Sequence, residues 1–294
     1  MLYAHAQMTS VRIAREVAID LVKNAVASVP GFRRIRMLRP RSASGPITAE
    51  YLRRHAFYML DIVLSWADDV VGKDVAEAGV GDNLASGFAF LAAGARSYTA
   101  ADPYVGDVRS DRARQVYKAA ADLWTAERGR LREGLSPQDF PNDNVDVCRQ
   151  PLEGIAGKDR FDLICSLSVV EHVWDFERFA AATRRLLRPD GVALHWIDLS
   201  PHGKWSEFAD PMTFLAVPDS LWRTGRVRGL PTRLRLHEMV AIFEAADLRV
   251  EVLETNEFIG ARDGAPIQLA KRFRSMSFDE VVIAGATLKI SRTG

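Results

Sequence analysis

The chain has 294 residues, 48% of them hydrophobic, and 39 Lys and Arg offset 38 Asp and Glu to leave a formal net charge of +1. That length supports a full core, as one large domain with additions or two small ones, and the balanced charge argues against a general nucleic-acid binder. No run approaches the roughly 20 apolar residues of a membrane span, and Arg12, Arg15, Glu16 and Asp20 interrupt the N-terminus where a secretory signal would be apolar. A cytoplasmic protein is expected, in keeping with Cys148 and Cys165 as free thiols in apolar strand-like runs.

Val11, Ala14, Ala18, Leu21, Ala25 and Val29 recur at helical spacing and predict an amphipathic helix ending before Pro30-Gly31. Residues 32–41 then carry five arginines without an acid. Two uses are open for residues 11–41: peripheral contact with an anionic membrane surface, or packing on the chain's own domain or on a second copy in a homodimer. The packing reading is favoured, with the basic stretch as a solvated linker. Residues 1–48 form this arm, and 49–294 form the main domain.

Residues 49–71 read as a helix, with Leu52, Ala56, Met59, Leu60, Val63, Leu64 and Trp66 as its apolar set and Thr48 as half of a capping signal. Tyr51, His55 and Tyr58 are candidates to reach a pocket, with packing or surface roles favoured for each. A strand from Asp74, the turn Gly79-Val80-Gly81, an alanine-rich helix and a strand ending at Asp102 come next. Residues 107–133 read as a long helix, Val145–Cys148 and Arg160–Ser166 as strands three and four, and Asp175–Arg188 as a helix stopped by Pro189-Asp190-Gly191. Strand five is Val192–Ile197. Residues 199–232, with Pro201, Pro211, Pro218 and Pro231 among Phe208, Phe214, Leu215, Leu221 and Trp222, break the alternation and read as a lid-like, substrate-facing insertion. A helix over 235–246, a strand over 248–253, a last strand over 280–283 and a short antiparallel return at 286–290 finish the chain.

Strands alternating with helices predict an α/β fold: a doubly wound, mostly parallel seven-stranded sheet with helices on both faces. Ligands of such sheets sit beyond the carboxyl ends of the strands, where this chain places 77–81, Asp102, Gln150-Pro151, 166–172 and 198–202. The glycine turn, the helix start behind it and the strand-end carboxylate Asp102 suit a nucleoside-containing cofactor. A nicotinamide dinucleotide is disfavoured, because the third glycine of its Gly-x-Gly-x-x-Gly turn would fall at Leu84.

Taken in order, Glu77-Ala-Gly79-Val-Gly81, Asp102, Phe161-Asp-Leu-Ile-Cys-Ser166, Val169-Val-Glu171-His172-Val173 and Leu187-Arg-Pro-Asp-Gly191 resemble the Rossmann-like, class I S-adenosylmethionine-dependent methyltransferases. The resemblance runs from about Tyr51 to the C-terminus, and His195-Trp-Ile-Asp198-Leu is further similar to bacterial small-molecule and glycan methyltransferases. It implies S-adenosyl-L-methionine as cofactor, with Glu77, Gly79 and Gly81 on its methionine side, Asp102 on the ribose hydroxyls, Gln150 and Pro151 beside the adenine, and Ser166 and Leu167 near the transferring methyl. Asn83 departs from the pattern, standing where the family commonly has a third glycine.

Methyl transfer is an in-line displacement that needs an aligned nucleophile and, for a hydroxyl acceptor, a base. His172 ranks first as base, with Glu171 orienting it or capping the next helix, and His202 second if Asp198 or Glu207 orients it. A metal is disfavoured: the comparable Glu-His stretch of some ubiquinone-pathway methyltransferases has a further acid three positions before the Glu, and Ser168 stands there. His195 is expected in the sheet core. Arg223, Arg226, Arg228, Arg233 and Arg235 are candidates for an acceptor phosphate or carboxylate, weighed against a solvated cluster. The expected reaction is methylation of a hydroxyl on a sugar, glycoconjugate or natural product. Nitrogen or carbon methylation stays open, as does a non-catalytic, cofactor-binding regulatory subunit motivated by Asn83 and the arm.

Overall fold

The structure is a computed structural model that describes residues 2–27, 46–67, 69–225, 231–261 and 268–293. Pro30-Gly31, the basic stretch 32–41, most of the loop after it, and Arg226 and Arg228 lie outside the described residues. The strands β1 (Asp74–Ala78), β2 (Ser97–Ala101), β3 (Val145–Cys148), β4 (Phe161–Leu167), β5 (Leu187–Asp198), β6 (Leu248–Glu257) and β7 (Ile283–Arg292) form one sheet of order β3-β2-β1-β4-β5-β7-β6. β1 to β5 pair in parallel, and β7 runs antiparallel to both β5 and β6. The sheet is therefore mixed, with its antiparallel strand second from the edge.

Alternation along the strands builds a core on each face. Val75, Tyr98, Ala100, Leu163, Cys165 and Leu194 pack under the helices α2 (Ala49–Leu52), α3 (Tyr58–Trp66), α4 (Ala85–Ala92) and α5 (Asp111–Arg128). Ala76, Ala78, Ile164, Ala193, Ile197, Leu288 and Ile290 face α6 (Phe176–Leu186) and a helix at 236–245. A five-residue π-turn, Arg53–Phe57, joins α2 to α3, and Thr48 caps α2 by accepting from Tyr51 N–H.

Two expected boundaries move. The segment expected to be the last strand, 280–283, instead opens with the helical turn Phe278–Val281, because Ser277 and Glu280 form a reciprocal capping box. The antiparallel return then lengthens into all of β7. β5 starts five residues early, at Leu187, and bulges through Pro189-Asp190-Gly191 as the register passes from Phe161–Leu187 to Leu163–Val192. Gly191 permits this, since a Cβ there would lie 2.8 Å from Phe161 O.

The first helix, α1 (Leu2–Ala27), presents a different face from the one its periodicity suggests. Glu16, Val17 and Asp20 are buried and Leu21 of the expected set packs beside them, whereas Val11, Ala14, Ala18 and Ala25 are exposed. The insertion explains the reversal. Trp205 Nε1 donates to Asp20 Oδ2 at 2.9 Å, Arg12 lies over the Phe208 ring at 4.4 Å, and Val17 joins Trp205, Phe208, Phe214 and Trp222 in a third core.

Candidate active site

The loop after β1 is shaped by two glycines. Gly79 and Gly81 have φ of +76° and +75°, a region that only glycine enters freely, and a Cβ on Gly79 would sit 2.3 Å from Val169 Cγ2. The next strand holds the turn: Asp102 Oδ2 accepts from Gly81 N–H at 2.9 Å, and Oδ1 accepts from Tyr104 N–H at 2.6 Å. Asn83 has no positive φ, so the position does not call for glycine. Its Oδ1 accepts from Ala85 N–H at 2.9 Å at the start of α4, and its Nδ2 donates to the Tyr51 hydroxyl at 3.2 Å.

Beneath this loop Glu77 is buried, and the Tyr98 hydroxyl donates to its Oε2 at 2.6 Å. Ser86 Oγ lies 3.2 Å from the same hydroxyl, and Gly87 makes room for the ring, since a Cβ there would be 2.5 Å from Tyr98 Cε1. Burial raises the Glu77 pKa, and the bonds from Ser86 and Tyr98 offset part of that rise.

The ends of β4 and β5 bring the remaining candidates together. Val170–His172 is a 3-10 turn after β4, and Val169, which opens it, is the residue that packs on Gly79. His172 and His202 have ring centroids 5.0 Å apart. His202 Nε2 is 3.2 Å from Asp198 Oδ2, so Asp198 supplies the orienting acid, while Glu207 pairs with Lys204 and Arg12. Asp198 is partly buried, which raises its pKa, but bonds from His202 and Ser200 outweigh that and bring it down to about 2. Glu171 is fully buried with no well-formed hydrogen bond to its carboxylate, and burial, reinforced by the Asp198 charge and only partly offset by the backbone N–H groups of Glu171 and Asp198, pushes its pKa to about 8. The far end of the insertion closes here too, with Thr232 N–H donating to Glu171 O at 2.6 Å.

Other expected residues are placed as follows. Gln150 and Pro151 are exposed at the end of β3, with Gln150 Oε1 against Gly154. Leu167 is half-buried, and Ser166 is fully buried with its hydroxyl 2.8 Å from His195 Nδ1. The arginine set divides. Arg223 is exposed, but Arg233 and Arg235 are buried structural residues: Arg233 holds Phe214 O, Val217 O and Asp219, and Arg235 holds Leu199 O and Ile283 O. Their guanidiniums are committed to carbonyls of the insertion and of β7 and to the Asp219 carboxylate, so these two are neither the acceptor ligands nor the solvated cluster that the sequence left open.

His195 gives a stability test. Burial lowers its pKa to about 3, below the unfolded value of roughly 6.5. The unfolded chain therefore binds a proton that the folded chain refuses, and stability falls as pH drops from about 6.5 towards 3. His195→Gln is expected to flatten that slope by about one proton, ~1.4 kcal/mol per pH unit, in urea unfolding at several pH values. An unchanged slope would mean that His195 is protonated in the fold.

Three supports escape sequence reading. Tyr98 and Ser86 hold Glu77, Tyr51 reaches Asn83, and Gly106 lets the loop after β2 close to where a Cβ would be 2.5 Å from Asp82 O. Only Tyr98 left a signal, as a tyrosine at an inward position of a buried strand whose hydroxyl must find a partner.

The family described as "Methyltransferase domain" matches residues 51–253, well over half of the chain. No curated protein matches it. Solved structures similar to it include the YcgJ protein of Bacillus subtilis (15% identity, 81% of this chain and 100% of that one, TM-score 0.45). Another is an S-adenosylmethionine-dependent methyltransferase from Mesorhizobium loti (13%, 85% and 100%, 0.43). A third is the Burkholderia thailandensis 1,6-didemethyltoxoflavin-N1-methyltransferase with 1,6-didemethyltoxoflavin and S-adenosylhomocysteine bound (14%, 95% and 90%, 0.43). These likenesses are too low to carry an acceptor over to this chain. With most of its length matched by the methyltransferase domain, the chain belongs to the class I methyltransferases, whose cofactor is S-adenosyl-L-methionine.

Proposed function

We propose that the protein methylates a hydroxyl of a sugar, glycoconjugate or natural product. The observation that supports this reading is the meeting of His172 with the Asp198–His202 pair, on a turn whose first residue packs on Gly79. In this reading Glu77, Gly79 and Gly81 line the methionine part of the cofactor, Asp102 accepts from the ribose hydroxyls, and Gln150 and Pro151 border the adenine. Ser166 and Leu167 end the strand nearest the methyl, with the Ser166 hydroxyl engaged by His195.

The acceptor hydroxyl loses its proton at the His172–His202 cluster as its oxygen attacks the methyl carbon. The C–O bond forms, the C–S bond breaks, and sulfur keeps the electron pair as the neutral thioether of S-adenosylhomocysteine. The insertion 199–232 begins at this cluster and returns to it at Thr232, which supports its reading as the acceptor-facing wall. His172→Ala and His202→Ala are each expected to lower turnover by about 10²–10⁴-fold with S-adenosylmethionine affinity kept, measured by product formation and calorimetry. Near-normal turnover in both would favour a nitrogen acceptor, whose lone pair needs less help from a base. The regulatory-subunit reading loses one of its two motives, since Asn83 has no positive φ in the turn.

A further inference from the structure

We propose that Glu171, His172 and His202 bind a divalent transition-metal cation of the zinc or manganese class, with Asp198 fixing His202 as a ligand. One donor atom from each residue lies within 4.8 Å of the others. Around a cation with bonds of about 2.0–2.2 Å, donors stand roughly 3–4 Å apart. Closing that gap takes a modest rotation of the His172 and His202 rings, whose side chains are 27% and 28% exposed.

The first reason is the Glu171 carboxylate. It is fully buried with neither oxygen in a well-formed hydrogen bond, the backbone N–H groups of Glu171 and Asp198 give it only partial support beside the Asp198 charge, and His172 Nε2 lies 3.9 Å from Oε1. A buried carboxylate with such weak support, next to a second carboxylate, costs free energy that a coordinated cation would remove. The second reason is Asp198. Its Oδ2 lies 3.2 Å from His202 Nε2, which leaves Nδ1 as the ligand atom, in the arrangement by which a carboxylate fixes the tautomer of a metal-bound imidazole.

Glu171 and His172 sit on one 3-10 turn pinned through Glu171 O by Thr232, and His202 follows β5, so the backbone that carries the three side chains is held in place. Two imidazoles and one carboxylate suit zinc, manganese, iron or cobalt, whereas magnesium and calcium prefer oxygen donors throughout. The sequence argued against a metal because Ser168 lacks a carboxylate. In the fold the third ligand comes from the end of the neighbouring strand, thirty residues beyond His172.

Three protein ligands leave coordination positions open. Resting on the methyl-transfer reading, these positions take the acceptor hydroxyl and a neighbouring oxygen, so the acceptor class narrows to vicinal diols and α-hydroxy carboxylates. Coordination would acidify the hydroxyl, so its proton is still lost at the His172–His202 cluster, to a water there, with the two histidines acting through the cation as ligands in place of a free imidazole base.

The test is calorimetric titration of the chelator-stripped, full-length protein with zinc, manganese and magnesium chlorides. Metal content by mass spectrometry and separate titrations with S-adenosylmethionine accompany it. One equivalent of zinc or manganese should bind, more tightly than magnesium. Asp198→Asn should weaken it by about 10–100-fold, and Glu171→Gln and His202→Ala by more, with S-adenosylmethionine affinity unchanged. If Glu171→Gln fails to fold, the half-exposed His172→Gln and His202→Asn carry the comparison. No zinc or manganese binding, or equal binding in the variants, overturns the site. Cofactor binding without metal binding removes only this proposal, and metal binding without cofactor binding removes only the methyl-transfer reading.

Discussion

Replacing Gly79 with alanine is expected to abolish measurable S-adenosylmethionine binding and to destabilise the fold by about 2–5 kcal/mol. Two costs add. A side chain at φ +76° costs about 1–2 kcal/mol, and the new Cβ would overlap Val169 Cγ2 at 2.3 Å, an overpacking of about 1–3 kcal/mol. Relief by pushing Val169 away moves the turn that carries Glu171 and His172, so the effect reaches beyond the cofactor loop. Gly81→Ala separates the terms. It has nearly the same φ with no protein atom within 4 Å of its Cβ, so it should show only the backbone cost. Adding Val169→Ala to Gly79→Ala should recover the packing cost alone. Urea unfolding of the three variants measures this, and equal losses at Gly79 and Gly81 would show that Val169 does not constrain the turn.

The second large effect is expected at Asp102. In Asp102→Ala the N–H groups of Gly81 and Tyr104 lose their acceptor, and in the proposed site the ribose hydroxyls lose theirs. Hydrogen bonds to a charged acceptor contribute about 1.5–3 kcal/mol each, so affinity for S-adenosylmethionine should fall by about 100-fold or more, roughly 2.8 kcal/mol. Asp102→Asn keeps one acceptor oxygen but not the charge and should fall between. Calorimetry gives both values, and unchanged affinity in the alanine variant would remove Asp102 from the cofactor site.

The parallel half of the fold was legible because β1 to β4 are short, largely apolar runs, each followed directly by a polar or turn residue (Gly79, Asp102, Arg149, Ser168), with helical periodicity between β1 and β2 and between β2 and β3. The C-terminal third was harder. Pro189-Asp190-Gly191 is a stop signal to local rules, yet pairing with β4 absorbs it as a bulge, and the helical turn before β7 shows only in the Ser277–Glu280 box. The apolar periodicity of α1 pointed to the wrong face because its partner, the aromatic core of the insertion, offers Trp205 Nε1 to Asp20 and Phe208 to Arg12. Such a choice rests on residues nearly two hundred positions away, beyond any local pattern.

The candidate site followed a similar division. Gly79, Gly81 and Asp102 could be singled out because backbone geometry and strand-end position limit which residues serve there. His202 could be named but not weighed until its distance to Asp198 was known. Arg233 and Arg235 resembled ligand-binding cations in sequence and are structural in the fold, since the irregular insertion has carbonyls that no helix or strand satisfies.

Transfer of an isotope-labelled methyl group from S-adenosylmethionine into a fractionated extract, followed by mass spectrometry of the labelled product, tests the central claim most directly. The expected result is label on an oxygen of a hydroxylated small molecule or glycan, present with wild-type protein and lost with His172→Ala and His202→Ala. A protein that binds S-adenosylmethionine but labels nothing, or that places the label on nitrogen with both histidines dispensable, would contradict it.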